Sequence, residues 1–207
     1  MSLRQKTKKR VPKQLKIQKA KNICLTPGEY IPDYDNLKKT VELYRKAGLR
    51  IVLTQGVYDL LHIGHALYLA KARQLGDLLV VGIDSDALTK ARKGPRRPIV
   101  PEGERIDMLL HLRHVDIVTI RDVEHDIGHL IRLVQPDVLV VSESTTDFTQ
   151  EQKLSYQKNC GKIVIMPPQA TQGSTQRIRT LAVDGAEELA SEISKLAYDF
   201  IEKIKNG

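Results

Sequence analysis

Short apolar runs alternate with polar, helix-compatible stretches through most of this chain. Five runs are rich in Val, Ile and Leu and have the length of buried strands: 50–54, 78–83, 115–120, 137–141 and 162–166. Helix-compatible stretches lie between them: 63–76, 102–112, 126–134 and 147–159. This alternation predicts an α/β fold in which a five-stranded parallel sheet carries helices on both faces. In such sheets ligands bind at the carboxyl ends of the strands, where the strand order reverses.

Further segments flank this alternation on both sides. Residues 35–47 predict an amphipathic helix that ends at Gly48, after an irregular connector. Residues 184–205 predict a last helix, whose apolar stripe favours packing on the body or on a second subunit as a homodimer. The stripe consists of Leu189, Ile193, Leu196, Phe200, Ile201 and Ile204. We therefore divide the chain into an arm, a connector with a helix, a main domain and a C-terminal helix: 1–22, 23–48, 49–183 and 184–207.

The formal net charge of +8 is concentrated at the start of the chain. Residues 1–22 hold nine of the 33 Lys and Arg residues and no acidic one, so the remainder, with 24 basic and 25 acidic residues, is nearly neutral. Such a basic arm can bind RNA or acidic headgroups by releasing counterions. It has no aromatic residue for base stacking, and we interpret it as a flexible tail. Nucleic acid is expected to bind only through this arm.

Neither a membrane segment nor a cysteine framework is predicted. No apolar run approaches the roughly 18 residues of a bilayer-spanning helix, and the basic start lacks the apolar core of a signal peptide. We expect a cytoplasmic protein without a membrane partner. Cys24 and Cys160 are far apart and form no Cys-x-x-Cys pair, so we expect plain reduced thiols.

The turn after the first apolar run carries the strongest chemical signal. It reads from Gly56 to His62-Ile63-Gly64-His65, which begins the next helix. Imidazoles three residues apart share a helical face, and the free N–H groups of a helix N-terminus attract phosphate. Gly56 would let the backbone approach a triphosphate, and Gly64 would keep the space between the rings clear. The block predicts a site for phosphate chemistry.

Two other segments suit phosphate. Residues 90–98 hold five cationic side chains in a Gly- and Pro-containing stretch, which by itself is typical of a solvated loop but beside the histidines indicates a mobile phosphate clamp. Ser174 and Thr175 open a helix after a Pro-Pro break, which by itself is typical of an N-cap. Nucleotidyl transfer needs positioning and preorganised positive charge more than acid–base catalysis, and three such segments favour it together.

These motifs resemble the nucleotidyltransferase superfamily of cytidylyltransferases and class I aminoacyl-tRNA synthetases, whose signature is His-x-Gly-His. Within it the chain is most similar to heptose 1-phosphate adenylyltransferases and glycerol-3-phosphate cytidylyltransferases, from about residue 51 to 181. The resemblance implies a Rossmann-like fold. The matching segments are Gln55-Gly56-Val57-Tyr58-Asp59, His62-Ile63-Gly64-His65, Gly82-Ile83-Asp84-Ser85-Asp86, Lys93-Gly94-Pro95-Arg96-Arg97-Pro98, Glu104-Arg105 and Gly173-Ser174-Thr175.

The resemblance also implies roles for individual residues. His62 and His65 would stabilise the transition state, Lys93 would contact phosphate, and Arg105 would help to hold the nucleotide region. Residues expected at the nucleotide are Gly56, Val57, Tyr58, Asp59, Gly64, Asp84, Ser174 and Thr175. The implied reaction moves AMP or CMP from ATP or CTP to a sugar or polyol phosphate and releases pyrophosphate. Mg²⁺ would bridge the triphosphate, with no dedicated metal cage on the protein.

Two departures from the family pattern leave alternatives open. Residues 141–147 read Val-Ser-Glu-Ser-Thr-Thr-Asp where the sugar-phosphate relatives carry Gly-Gly-Asp or Gly-Asp-Asp, and Gln176 replaces a hydroxyl. We favour an adenylyltransferase, because the Lys-Gly-Pro and Asp-Ser-Asp segments look most like the heptose enzymes. The alternatives are a cytidylyltransferase acting on glycerol 3-phosphate and a non-catalytic nucleotide- or RNA-binding regulator on the same fold.

The other four histidines also occur in pairs with helical spacing. These pairs are His111 with His114 and His125 with His129. Histidines with this spacing can ligate zinc, but no third potential ligand lies at a sequence spacing typical of a zinc site. We interpret both pairs as solvated helix faces.

Overall fold

The computed structural model of this chain describes residues 28–145, 149–170 and 173–206. Its strands are β1 (Glu29–Tyr30), β2 (Ile51–Gly56), β3 (Leu78–Asp84), β4 (Ile117–Arg121), β5 (Val138–Ser142) and β6 (Lys162–Met166). Its helices are α1 (Tyr34–Lys46), α2 (Ile63–Arg73), α3 (Asp86–Lys93), α4 (Glu102–Leu110), α5 (His129–Val134), α6 (Gln150–Gln157) and α7 (Ser174–Asn206). The basic arm at 1–22, with Cys24 in the connector, lies outside the described residues.

All strands of the sheet are parallel, in the order β1-β4-β3-β2-β5-β6. From β2 the chain adds β3 and β4 on one side and then returns to place β5 on the other side. The strand order therefore reverses between β2 and β5, and a ligand crevice is expected at their carboxyl ends. The predicted α/β class and parallel sheet are confirmed.

The sheet has six strands, so the predicted number of five is wrong. The additional strand is β1, which pairs with β4 at one edge. The backbone N–H groups of Glu29 and Ile31 donate to the carbonyls of Asp116 and Val118, both at 2.9 Å. With only two residues, β1 lacks the apolar run by which a strand is recognised in a sequence.

Side chains that alternate along the strands divide the core into two layers. On one face Leu53 and Leu139 pack with α1, α5 and α6, and on the other face Val52 and Val140 pack with α2 and α4. Each fully buried aliphatic side chain contributes roughly 1.5–3 kcal/mol to stability. The helices that begin next to the carboxyl edge, α2 and α5, therefore lie on opposite faces of a rigid sheet.

The cationic segment 90–98 is interpreted above as a loop, but its first part, Lys90 to Lys93, belongs to helix α3. Ser85 caps this helix, because its Oγ accepts a hydrogen bond from the backbone N–H of Leu88 at 3.0 Å. The helix includes Lys90 to Lys93 and ends at Gly94, whose φ of 94° favours glycine. Lys93 is therefore held by the last helical turn and not by a free loop.

The structure divides into two compact units at Gln169 and Ala170. Helix α7 belongs to the second unit and begins at Ser174, whereas the apolar stripe predicts its start at 184. Gly185 does not interrupt the helix, since a single internal glycine costs only about 1 kcal/mol. Leu189 and Leu196 on the stripe are exposed, and the homodimer stays a prediction. None of the helices in the described residues is both long and apolar enough to cross a bilayer.

Candidate active site

Both signature histidines lie at the beginning of α2. His62 is the N-cap, and its Nδ1 accepts a hydrogen bond from the backbone N–H of Gly64 at 3.0 Å. The Nδ1 of His65 accepts from the backbone N–H of His62 at 3.4 Å, which closes a capping box. Since Nδ1 is the acceptor in each ring, the ring N–H that each histidine can offer to a ligand is on Nε2. The ring centroids are 4.1 Å apart, so the two imidazoles lie next to each other.

His65 is uncharged at neutral pH. Burial, and then electrostatic repulsion from His62 and Lys93, lower the pKa of His65 to about 4, and Asp59 opposes this shift. The pKa of Lys93 is itself lowered by burial, then by Arg97 and Arg92. His65 can therefore donate a hydrogen bond to a phosphate oxygen, while positive charge must come from other side chains.

The turn between β2 and α2 is strained and is held by packing. Tyr58 and Leu60 have φ values of 55° and 48°, in the left-handed region that costs a non-glycine residue roughly 1–2 kcal/mol. The buried ring of Tyr58 meets His65 edge-on at 5.7 Å between centroids. A Cβ on Gly56 would lie 3.2 Å from that ring, so the glycine makes room for Tyr58. Its contact with a triphosphate stays a prediction.

Asp59, in the turn between β2 and α2, binds the segment that follows α3. Its carboxylate accepts hydrogen bonds from the backbone N–H groups of Ile99 (3.1 Å) and Val100 (3.0 Å). It also pairs with Arg97 at 2.5 Å. Burial by itself raises the pKa of Asp59, but these bonds outweigh it and lower the pKa below its usual value. This network holds the chain that follows Lys93 against the turn that carries the histidines.

Arg105 is buried with 1% of its side chain exposed and links several elements at once. Its Nη1 donates to the carbonyls of Val57 (2.5 Å) and Asp84 (3.0 Å). Its Nη2 donates to Asp86 at 2.6 Å and its Nε to the carbonyl of Val100 at 2.9 Å. Arg105 therefore joins the ends of β2 and β3 to the start of α3, which is a positioning role. Its contact with the nucleotide region stays a prediction.

A cavity of about 170 Å³ lies at the point where the strand order reverses. Asp84 at its base is fully buried and binds Arg92 through Oδ2 and Arg121 through Oδ1. Lys93 also lines the cavity, so three cations surround one carboxylate. The remaining lining residues come from the ends of β2 and β5, the residues after β5, and the approach to and interior of α5: Gln55, Gly56, Val57, Leu139, Val140, Val141, Ser144, Thr145, Ile127 and Ile131.

The structure brings most of the predicted site residues to one edge of the sheet. The histidine pair and Lys93 are close enough for their charges to interact, and Lys93 shares the cavity with Gly56, Val57 and Asp84. Ser174 begins α7 in the other unit, and the side chain of Thr175 lies outside the described part. So does the end of the divergent segment, residues 146 and 147. Contacts of Ser174 and Thr175 with a triphosphate stay predictions.

Arg121 is a cavity residue that the sequence analysis missed. It follows the apolar run 115–120 and is the last residue of β4. An arginine at the end of an apolar run could have indicated a residue at the ligand-binding edge, because the carboxyl ends of parallel strands share one edge. Without the strand order, nothing in the sequence related this position to Lys93.

The prediction that the other histidine pairs lie on helix faces is wrong. Helix α5 begins at His129, so His125 lies in the preceding turn, and His111 is the C-cap of α4, so His114 lies beyond that helix. The ring centroids of His125 and His129 lie 4.7 Å apart, and they lie 4.8 and 5.4 Å from the ring centroid of Tyr34. Within the described ranges, no group of three His, Cys, Asp or Glu residues could hold a metal ion.

Comparison with known proteins shows the class to which this site belongs. Residues 53–183 match the cytidylyltransferase-like family. The bifunctional protein HldE of a Nitratiruptor species is 45% identical over 113 residues, which cover 54% of this chain and 24% of that protein. HldE of Geotalea uraniireducens is 38% identical over 156 residues, 72% of this chain and 31% of that protein. The chain therefore spans about a quarter to a third of these relatives.

A solved structure agrees with the sequence comparison. The lipopolysaccharide core biosynthesis protein from Thermoplasma volcanium GSS1 is 30% identical, with a TM-score of 0.51. The similarity covers 58% of this chain and 98% of that protein. The family match and these relatives indicate a nucleotidyltransferase. The chain belongs to the cytidylyltransferase-like family, since the family match covers more than half of its length.

Proposed function

We propose that this chain transfers AMP from ATP to the phosphate group of a compact sugar or polyol phosphate and releases pyrophosphate. The observation that carries the proposal is the pair of Nε2–H groups on His62 and His65 at the beginning of α2. Lys93 lies near enough to lower the pKa of His65. The resemblance to heptose 1-phosphate adenylyltransferases supports ATP as the donor and a sugar phosphate as the acceptor.

The reaction needs stabilisation of negative charge more than proton transfer. An oxygen of the acceptor phosphate, already ionised, forms a bond to the α-phosphorus of ATP while the bond from that phosphorus to the pyrophosphate oxygen breaks. Charge develops on the α-phosphate oxygens and on the departing pyrophosphate. The Nε2–H groups of His62 and His65 donate hydrogen bonds to those oxygens. The positive N-terminal end of the α2 dipole also stabilises their negative charge. Lys93 supplies positive charge beside them.

Mg²⁺ bound to the triphosphate is part of this proposal. The nearby carboxylates Asp59 and Asp84 are already engaged by Arg97, Arg92 and Arg121. This arrangement suits a metal ion whose ligands are mainly phosphate oxygens and water. When bound, the ion would partly neutralise the triphosphate.

The direct test is a pyrophosphate-release screen on the full chain. ATP and CTP are each combined with heptose 1-phosphate, glycerol 3-phosphate and phosphocholine, with a His65→Ala variant as the matched control. We expect release with ATP and a sugar phosphate, and its loss in the control. Release with CTP and glycerol 3-phosphate would instead identify the cytidylyltransferase. Tight nucleotide binding without release across the panel would support the non-catalytic regulator.

A further inference from the structure

The lining of the cavity between β2 and β5 carries more positive than negative charge. Arg92, Lys93 and Arg121 face it, and Asp84 is the one carboxylate among its lining residues. Asp84 pairs with Arg92 and Arg121, and Asp59 also acts on the charge of Lys93, so the lining of this partly open cavity keeps a net positive charge. Unbalanced charge in such a place is costly, and an anion that enters relieves it. This positive charge suits an anionic group such as a phosphate.

Two polar atoms at this cavity have no hydrogen-bond partner among the described residues. They are Oε1 of Gln55 and Nε of Arg121, and both are buried. Their side chains flank Gly82 together with Leu130: an added Cβ there would lie 2.5 Å from Cδ2 of Leu130, 3.4 Å from Cγ of Gln55 and 3.5 Å from Cδ of Arg121. One atom is an acceptor and the other a donor. A single hydroxyl group complements both, because it donates to an amide oxygen and accepts from a guanidinium.

The position of Lys93 indicates how an acceptor would be oriented. Lys93 lines the cavity and its charge also acts on His65, so it is near both. A reacting phosphate belongs at the Lys93 end, where it can reach a nucleotide held by the histidines. The carbon skeleton of the acceptor then extends toward Gln55 and Arg121. The cavity of about 170 Å³ is smaller than the roughly 300–1,000 Å³ of sites for drug-sized ligands, which favours a compact molecule.

We infer that Gln55 and Arg121 are specificity-determining residues that bind a hydroxyl group on the skeleton of a small monophosphate acceptor. This inference rests on the proposed function. Asp84 holds Arg121 through Nη2, which directs the guanidinium and leaves Nε for this hydroxyl. Lysine would keep the charge but lacks the planar fork of donors. The geometry therefore assigns the acceptor to the α5 face of the sheet and the nucleotide phosphates to the α2 face.

The test compares Arg121→Lys and Gln55→Met with wild type, using the acceptor found in the screen and its deoxy analogues. We expect each variant to raise the KM for the acceptor at least tenfold and to leave the KM for ATP within threefold. Wild type should prefer one hydroxylated acceptor over its deoxy analogue, and Gln55→Met should lose that preference. The matched control is Arg73→Lys, which changes an arginine paired with Asp116 (2.7 Å) at the opposite edge of the sheet.

Further outcomes separate the inference from the proposed function. A rise in the KM for ATP with an unchanged KM for the acceptor would overturn the inference and leave the function standing. Equal use of the acceptor and all its deoxy analogues by wild type would do the same. If no acceptor reacts, the proposed function fails. The shift in the thermal unfolding temperature on adding glycerol 3-phosphate then tests whether the cavity binds a small hydroxylated monophosphate. Stabilisation of wild type that Gln55→Met abolishes supports the inference, and equal stabilisation of both overturns it.

Discussion

The two edges of the sheet use charge in opposite ways. At the amino edge, Asp77, Asp116 and Asp137 each precede a strand and accept a hydrogen bond from a backbone N–H in a neighbouring strand or just before it, at 2.7–2.9 Å. At the carboxyl edge, cations surround a cavity, and buried polar atoms of Gln55 and Arg121 have no partner among the described residues. At the amino edge, charge is used in bonds that stabilise the fold, whereas the carboxyl edge keeps more cations than carboxylates around a cavity.

Arg105 offers the strongest test of this contrast, because it lies at the carboxyl edge but all three of its nitrogens are bonded. Arg105→Met leaves buried acceptors without a donor, and we expect the free energy of unfolding to fall by about 3–5 kcal/mol. Urea denaturation measures it. Exposed Arg113→Met is the control, with an expected change within about 0.5 kcal/mol. A loss below about 1 kcal/mol for Arg105→Met would contradict the positioning role.

The histidine pair should matter mainly for chemistry. We expect His62→Ala and His65→Ala to lower the turnover number about 100-fold or more, equivalent to about 2.7 kcal/mol, because each removes a preorganised donor. Steady-state pyrophosphate release measures this. His62→Asn separates the two roles of this residue, since asparagine also caps helices. It should restore stability without restoring turnover, and recovery of both would assign His62 a capping role only.

A substitution at the amino edge should lower stability and leave turnover nearly unchanged, in contrast to the histidine variants. Asp137→Ala leaves the backbone N–H of Ile51 without its partner at 2.7 Å, and we expect a loss of about 1–3 kcal/mol in the free energy of unfolding. The turnover number should stay within twofold, because this edge is remote from the cavity. Denaturation and turnover are measured on the same preparation. A fall in turnover without a fall in stability would show that the two edges are not separate in function.

The smallest expected effect is the pH dependence caused by His65. Its pKa of about 4 in the folded chain lies below the ordinary value of 6.5, so the unfolded chain binds the proton first. Stability from this residue is therefore present above about pH 6.5 and is lost as the pH falls toward 4. Between pH 7 and pH 5 we expect wild type to lose on the order of 1 kcal/mol more than His65→Gln. Equal losses in urea denaturation would show that His65 is not held neutral by the fold.

Some features were accessible from sequence because neighbouring residues produce them. The apolar runs that became β2 to β6 predict strands by composition and length, and the glycine turn after the first run predicts the helix start at His62 to His65. Other features depend on context. The strand at Glu29–Tyr30 exists only because β4 offers it an edge, and α3 combines a short length with a charge run that is typical of loops.

Local order along the chain was therefore enough to predict a parallel α/β sheet with a phosphate-binding turn, since strand periodicity and helix capping act over a few residues. Folding alone decided which distant side chains meet. Asp84 reaches Arg121 across 37 positions and Arg105 reaches the carbonyl of Val57 across 48. Such contacts arise because parallel strands, separated by helices in the chain, end side by side, and no pattern within one segment encodes which ends will be neighbours.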